Sequence, residues 1–407
     1  MIFYIDPGTG SMLFSIVIGL ATALYFVGKT AVIKLKVFFT GGKAIASKNH
    51  VPLVIYSEGT RYWNVFKPVL DELEKRSFPT VFYTSSEDDP VFEQNYQFIM
   101  GEFIGQGNKA FARLNFLEAD LCLMTTPGLD VLQLKRSKGV KHYSHILHAV
   151  TDATTYRLFG LDYFDSVLLT GDYQKAHLRV LEKERTLSEK ELVVVGCTYL
   201  DMLEEKVNTL NIVKNEGFTV LVAPSWGENG ILSKYGENLL DPLVETGFTI
   251  IVRPHPQSKQ SEGEVLDRLE KRYAGVKNLK WDYEAENLHS LARADVMISD
   301  FSGVIFDYAF LFDRPFLYVN HGFDARPYDS YDIKEEPWMV KVLPEIGYEL
   351  TPQDFKNIGE IISQTTENEA LSRNRVQAKK EAWQYIGESG KRVVDYLVSK
   401  IENTNAV

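Results

Sequence analysis

Three stretches of this chain combine residue types and spacings that can do chemistry. The first runs Ile250-Ile-Val-Arg-Pro-His-Pro-Gln257, a β-rich run ending in His255 between two prolines. Each proline fixes its own φ and pushes the preceding residue out of the helical region, so this imidazole stands on a stiffened backbone. Such a ring can donate to a phosphoryl oxygen, and Arg253 can reinforce it with a planar fork of N–H groups. A rigid exit loop whose histidine only caps a neighbour would read the same way. The second stretch, Asp295 to Tyr318, predicts a strand to Ser299, a turn Asp300-Phe301-Ser302-Gly303 and a helix from about Val304. A strand-to-helix junction offers unpaired N–H groups and a positive dipole end to an anion, and Ser302 and Gly303 keep the approach open. Ser302 can equally be an ordinary N-cap. Asp307 either holds a sugar or polyol hydroxyl or favours the positive helix end.

The third stretch, Val140 to Ala149, spaces His142, His145 and His148 by three. On a helix they share a broad face, whereas on a strand His145 points away from the other two. No cysteine pair lies nearby, and no metal site is predicted. His148, at the end of the segment, is the candidate general base. It is expected at the domain-facing edge of the first sheet, opposite His255.

The elements that must position these groups follow an α/β rhythm. Val51–Tyr56, Thr80–Tyr83, Leu114–Met124 and Tyr163–Thr170 read as strands of one unit, with a helix over Arg61–Lys75. A second series opens with a strand at Leu192–Gly196 and a helix at Asp201–Leu210. It continues through Thr219–Ala223, Leu239–Thr246, Phe248–Val252, Val296–Ser299 and Phe316–Val319. Leu181–Glu191, charged and nearly without aromatics, reads as the linker, and Leu371–Lys400 as helical. The predicted fold is α/β, with two Rossmann-like domains facing a cleft where open sheets bind ligands beyond their carboxyl ends. The expected organisation is a membrane anchor and basic segment over 1–48, a first domain over 49–180, a second over 190–370 and a helical segment over 371–407.

Composition bounds the partners. Forty-four Lys plus Arg against 55 Asp plus Glu give a net charge of −11 over 407 residues. A broad basic field for a nucleic-acid backbone is therefore not expected, and any phosphate must be gripped locally. Two cysteines, Cys122 and Cys197, form no disulfide framework and fit a reducing compartment. Pro7–Gly28 carries no charge and is long enough to cross a hydrocarbon core of about 30 Å. Residues 1–50 sum to +4 and the remainder to −15, and the lysines follow the apolar run. The expectation is a single-pass anchor in the cell membrane with the catalytic domains cytoplasmic. An in-plane amphipathic helix to Phe39 and a buried helix in a larger assembly are the alternatives.

Ile251–Pro256 and Ile298–Asp307, with Arg314-Pro315 and Tyr318, resemble the donor-domain motifs of the CDP-glycerol glycerophosphotransferases that build teichoic-acid chains. Val195–Asp201 resembles the family's glycine and aspartate segment, and Ala223-Pro-Ser-Trp226 its Ala-Pro-Thr-Trp or Tyr element. The chain departs from the pattern at Gly303, where members commonly carry a second serine, and at Gly227, where they carry an arginine. The first-domain Trp-His-Gly-Thr appears only as Leu147-His148-Ala149-Val150.

The resemblance implies a GT-B-like fold and attack of an acceptor hydroxyl on the β-phosphorus of CDP-glycerol, releasing CMP. In that chemistry His148 takes the hydroxyl proton, while His255 and Arg253 steady the pyrophosphate. Ser225, Ser299, Asp300, Ser302, Gly303 and Asp307 belong to the donor site. CDP-glycerol is a co-substrate, and no cofactor or metal is expected. The acceptor implied is lipid-linked or polymeric and presented at a membrane. A nucleotide-sugar glycosyltransferase or epimerase of the same plan, and a catalytically decayed, membrane-tethered nucleotide-binding module, are the competing readings.

Overall fold

The computed structural model describes residues 51–405 except 214, 216 and 301. The expected span at 7–28 and its lysines lie outside the described residues. Among the described residues no helix is long and apolar enough to cross a membrane.

Two wholly parallel sheets form two lobes. The first has the order β3-β2-β1-β4-β5-β6-β7. Its strands are β1 (Val51–Ser57), β2 (Thr80–Thr84), β3 (Ile99–Phe103), β4 (Glu118–Met124), β5 (Gly139–Ile146), β6 (Ser166–Leu169) and β7 (Glu191–Val194). The second has the order β10-β9-β8-β11-β12-β13. It contains β8 (Thr219–Ala223), β9 (Thr249–Val252), β10 (Leu279–Trp281), β11 (Val296–Ser299), β12 (Phe316–Val319) and β13 (Tyr348–Leu350). Central strands covered by helices on both faces need continuous apolar runs, and β8 and β11 are buried at every residue. Strand order reverses between β1 and β4 and again between β8 and β11. These reversals open a crevice at the carboxyl ends of each sheet.

The structure corrects two expectations. Leu192–Gly196 does not open the second unit: β7 pairs in parallel with β6, Ser166 opposite Glu191, at the edge of the first sheet. Nor is Leu181–Glu191 a linker. Its start ends the Gln174–Glu184 helix, and its charges pin the following turn, Glu182 accepting from Arg179 Nη1 at 2.6 Å and from the Lys190 amide at 2.9 Å. The chain crosses between lobes after β7, through the Thr198–Thr209 helix. The C-terminal helices divide between the lobes: Glu369–Ala382 packs on the second, and Ser389–Asn405 returns to the first, where Val393, Val394 and Leu397 join a core with Leu53, Ile55 and Phe66.

Buried carboxylates join the lobes. Asp152 of the first accepts from the Trp338 and Met339 amides, at 2.9 and 2.8 Å, satisfying the start of the Trp338–Ile346 helix. Asp329 of the second accepts from the Phe159 and Gly160 amides, at 2.6 and 3.1 Å, and pairs with Arg185 at 2.8 Å.

Candidate active site

The carboxyl ends of β8, β9 and β11 surround a cavity of about 390 Å³ lined by Tyr199, Arg253, His255, Ser302 and Asp307, with Asn64 reaching in from the first lobe. His255 follows β9 and is exposed, 6.4 Å from the Trp226 ring. The Gln257 amide donates to His255 Nδ1 at 3.1 Å, so in the neutral ring the proton sits on Nε2. Burial lowers the pKa of this imidazole below its usual value, opposed by Glu262 and Asp300. Near neutral pH it is therefore an uncharged N–H donor at the cavity.

Other donor-site expectations change. Arg253 lines the cavity, but its fork is engaged: Nη1 donates to Asp282 at 2.5 Å and Nη2 to the Glu284 carbonyl at 2.6 Å. Here Arg253 splints the loop after β9 rather than offering a free fork. Ser299 is fully buried, and its hydroxyl donates to the Ala223 carbonyl at 2.6 Å, tying β11 to β8. Its side chain has no access to a ligand. Asp300, 1 % exposed, accepts from the Ser225 amide at 2.8 Å and the Ile231 amide at 2.9 Å. Its carboxylate organises the 225–231 loop.

Ser302 does line the cavity, and the N-cap of the Val304–Phe312 helix is Gly303, with no side-chain cap bond. A Cβ on Gly303 would meet nothing within 4 Å, so space there does not demand glycine. Gly227 differs: its φ of +94° is one that L side chains rarely adopt. Asp307 accepts from Tyr199 Oη at 3.2 Å, and burial raises its carboxyl pKa to about 7.

The third stretch is strand β5 followed by a turn, and its histidines diverge. His142 meets Ser166 Oγ at 2.9 Å and Tyr396 Oη at 3.3 Å on the C-terminal-helix side, while His145 packs against Phe164 on the other. His145 Nε2 and His148 Nδ1 each lie 3.1 Å from Tyr156 Oη, and the His148 ring meets Tyr62 edge-on at 5.5 Å. Burial holds the pKa of His145 down at about 3 and that of His148 at about 4, helped by the charge of Arg61 on His148. Both are neutral.

Tyr62 and Tyr156, the partners of His148, line a second cavity of about 540 Å³ at the carboxyl ends of β1 and β4. A third, of about 500 Å³, lies between the lobes and is lined by Thr151 and Thr155 from the first and by Ser225, Asp300, His321 and Met339 from the second. The structure thus gathers His255, Ser302 and Asp307 around one cavity, places Ser225 and Asp300 at the next, and puts His148 behind the wall of another rather than in the cavity of His255.

Sequence reasoning missed Tyr199, Tyr156 and His321. Tyr199 stands two residues before Asp201 in a segment already singled out, and His321 follows β12 at the carboxyl edge where ligand groups gather. Tyr156 carried no local signal.

Among solved structures, the chain is similar to the wall teichoic acid polymerase TagF, at 16 % identity over 96 % of this chain and 99 % of that one, with a TM-score of 0.55. It is likewise similar to a putative UDP-N-acetylglucosamine 2-epimerase from Listeria monocytogenes, at 12 % identity over 87 % and 98 %, with a TM-score of 0.59. A UDP-GlcNAc 2-epimerase from Neisseria meningitidis bound to UDP-GlcNAc gives 15 % identity over 86 % and 100 %, with a TM-score of 0.56. At these identities the likeness is one of fold, the GT-B-like pair of parallel α/β lobes. No curated protein sequence matches. The sequence model of the CDP-glycerol:poly(glycerophosphate) glycerophosphotransferases matches residues 169–399, more than half of the chain. With the second-lobe motifs ordered around one cavity, the chain belongs to that family of transferases.

Proposed function

We propose that this protein moves glycerol phosphate from CDP-glycerol to a hydroxyl of a lipid-linked or polyol-phosphate acceptor, releasing CMP. The observation that carries the reading is the cavity at the ends of β8, β9 and β11, where the Nε2–H of His255, Ser302 and Asp307 converge in a chain of this family. The second lobe takes the donor and the first the acceptor. An oxygen lone pair of the acceptor attacks the β-phosphorus, the bond to the CMP oxygen breaks, and the acceptor proton passes to neutral His148 through Tyr156, whose hydroxyl takes it up while giving its own to the Nδ1 3.1 Å away. Positioning and stabilisation of phosphoryl charge supply most of the rate. His255 donates to a phosphoryl oxygen, Ser302 and the N–H groups opening the Val304–Phe312 helix receive another, and Asp307 holds a glycerol or ribose hydroxyl. Asp300, Arg253 and Ser299 position these groups from behind. The apolar 7–28 run and the lysines after it anchor the enzyme at the cytoplasmic membrane face, where anionic lipid attracts basic residues.

The test is incubation with CDP-glycerol and a lipid-linked glycerophosphate acceptor, followed by nucleotide analysis and mass spectrometry of the acceptor. CMP release with an acceptor heavier by one glycerophosphate unit is expected. Turnover of a UDP-sugar instead, or nucleotide binding without turnover, would replace this reading. Deleting residues 1–40 should release folded protein from the membrane fraction, and full retention there would remove the anchor.

A further inference from the structure

The three cavities lie in series. The Ala223–Pro224 segment and Ser302 face the His255 cavity and the adjoining Ser225 and Asp300 face the inter-lobe cavity, so the two cavities meet along one pair of turns. The inter-lobe cavity in turn shares Thr155 and Tyr328 with the first-lobe cavity. That last cavity differs in character. Phe111, Val131, Leu132, Leu134 and Leu158 make its wall largely hydrocarbon, and Leu132 stands at its mouth with 78 % of its surface exposed.

Two features mark it as a ligand site. It sits where strand order reverses between β1 and β4, the place where an open α/β sheet receives its ligand. It also adjoins the inter-lobe cavity through Thr155 and Tyr328, so one molecule can occupy both. The inter-lobe cavity, with Thr151, Thr155, Ser225 and Asn229 on its wall, and the more apolar first-lobe cavity together fit a molecule with a polyol-phosphate head and a hydrocarbon chain.

We propose that the first-lobe cavity binds the hydrocarbon segment adjoining the head of an amphipathic acceptor. The head lies in the inter-lobe cavity beside Thr151 and Thr155, and the chain leaves past Leu132. This rests on the reading above that the first lobe takes the acceptor, and it adds that the protein measures the acceptor's apolar part directly rather than only meeting it in a bilayer. Tyr156 lines the same cavity with its Oη 3.1 Å from His148 Nδ1, so an acceptor there meets that base through the tyrosine hydroxyl.

The test uses the full chain and 1-alkyl glycerophosphates of two to twelve carbons below their micellar concentrations. Apparent KM should fall by about threefold to fourfold per added methylene until the cavity is filled, the factor expected for burying one methylene. Leu132→Arg should flatten that dependence, and its exposed position spares the core. A KM independent of chain length in the wild type overturns the proposal. A second measurement needs no turnover: a dodecyl glycerophosphate with a diazirine in its chain should label residues 126–134 or 155–160. Labelling confined to other segments also overturns it. If labelling falls in the cavity while no CMP is released from CDP-glycerol, the lipid site stands and the transferase reading fails.

Discussion

His255 offers the sharpest test of how the cavity at the ends of β8, β9 and β11 works. Because the Gln257 amide occupies Nδ1 at 3.1 Å, the neutral ring can present only Nε2–H to a ligand. Burial moves its pKa below the usual imidazole value, so this uncharged donor form dominates at pH 7 and above. A single preorganised donor aimed at developing charge is worth roughly 10²–10³ in kcat when shielded from water. The ring is exposed at the cavity rim, so His255→Ala should lower kcat for CMP release by about 30- to 100-fold, less than a fully shielded donor would lose. KM for CDP-glycerol should change little, and folding stability should move by less than about 0.5 kcal/mol at so exposed a position. His255→Gln places an amide N–H at nearly the reach of Nε2 and should recover part of the loss, while the shorter His255→Asn should not. The assay is initial rates from pH 6 to pH 9 at saturating acceptor. An uncharged donor predicts no loss of rate attributable to His255 as pH rises from 7 to 9. A wild-type rate that falls steadily with pH above 6.5, in a limb that His255→Gln abolishes, would mean the ring acts as a cation and would refute the argument. Unchanged kcat in His255→Ala would remove the residue from the site.

Three further outcomes follow from the same geometry. His148→Ala should lower transfer at least about tenfold; with its pKa held near 4, the wild-type profile should lack an acidic limb at 6.5, and such a limb would show that a different base is at work. The folded-state pKa of Asp307, raised to about 7, makes its contribution to stability full below the unfolded carboxyl value and progressively lost as pH climbs towards 7. Asp307→Asn should therefore gain on the wild type between pH 5 and pH 8 by on the order of 2 kcal/mol, given the carboxyl's access to the cavity, and parallel urea-unfolding stabilities at the two pH values would contradict this. Asp201 accepts from Trp383 Nε1 at 2.8 Å, from the Ser389 amide at 3.0 Å and from Ser389 Oγ, clasping the crossover helix to the returning chain. Asp201→Ala should cost about 3 kcal/mol in urea unfolding, and a loss under 1 kcal/mol would mean the clasp is replaceable.

Much of the fold was legible because buried parallel strands announce themselves as short apolar runs. Val51–Tyr56, Thr219–Ala223 and Val296–Ser299 are strands within a residue of their expected bounds. Where the reading failed, the deciding contact lay far along the chain. β7 is a four-residue edge strand preceded by charge, and only its pairing with Ser166–Leu169 assigns it to the first sheet. The 140–149 segment looked ambiguous because its histidines sit at a helical spacing. Pairing with β4 and β6 settles 139–146 as a strand, and the histidines' side-chain partners Tyr156, Ser166 and Tyr396 are up to 254 residues away.

The site shows the same division at the level of single atoms. Residue types picked out second-lobe stretches that border one cavity, but they could not say which side chains face it and which hold the loop. Of Ser299, Asp300 and Ser302, three polar residues within four positions, only Ser302 lines the His255 cavity. The Ser299 hydroxyl bonds the Ala223 carbonyl, and the Asp300 carboxylate takes the Ser225 and Ile231 amides. This follows from the demand that buried backbone groups be paired. A turn that leaves some N–H groups free for an anion must be fixed by side chains that satisfy the rest. The motif is accordingly part scaffold and part site, and Asp300→Asn should disturb nucleotide binding through the 225–231 loop. A wild-type nucleotide Kd in a folded Asp300→Asn protein would show that the loop holds its shape without that carboxylate.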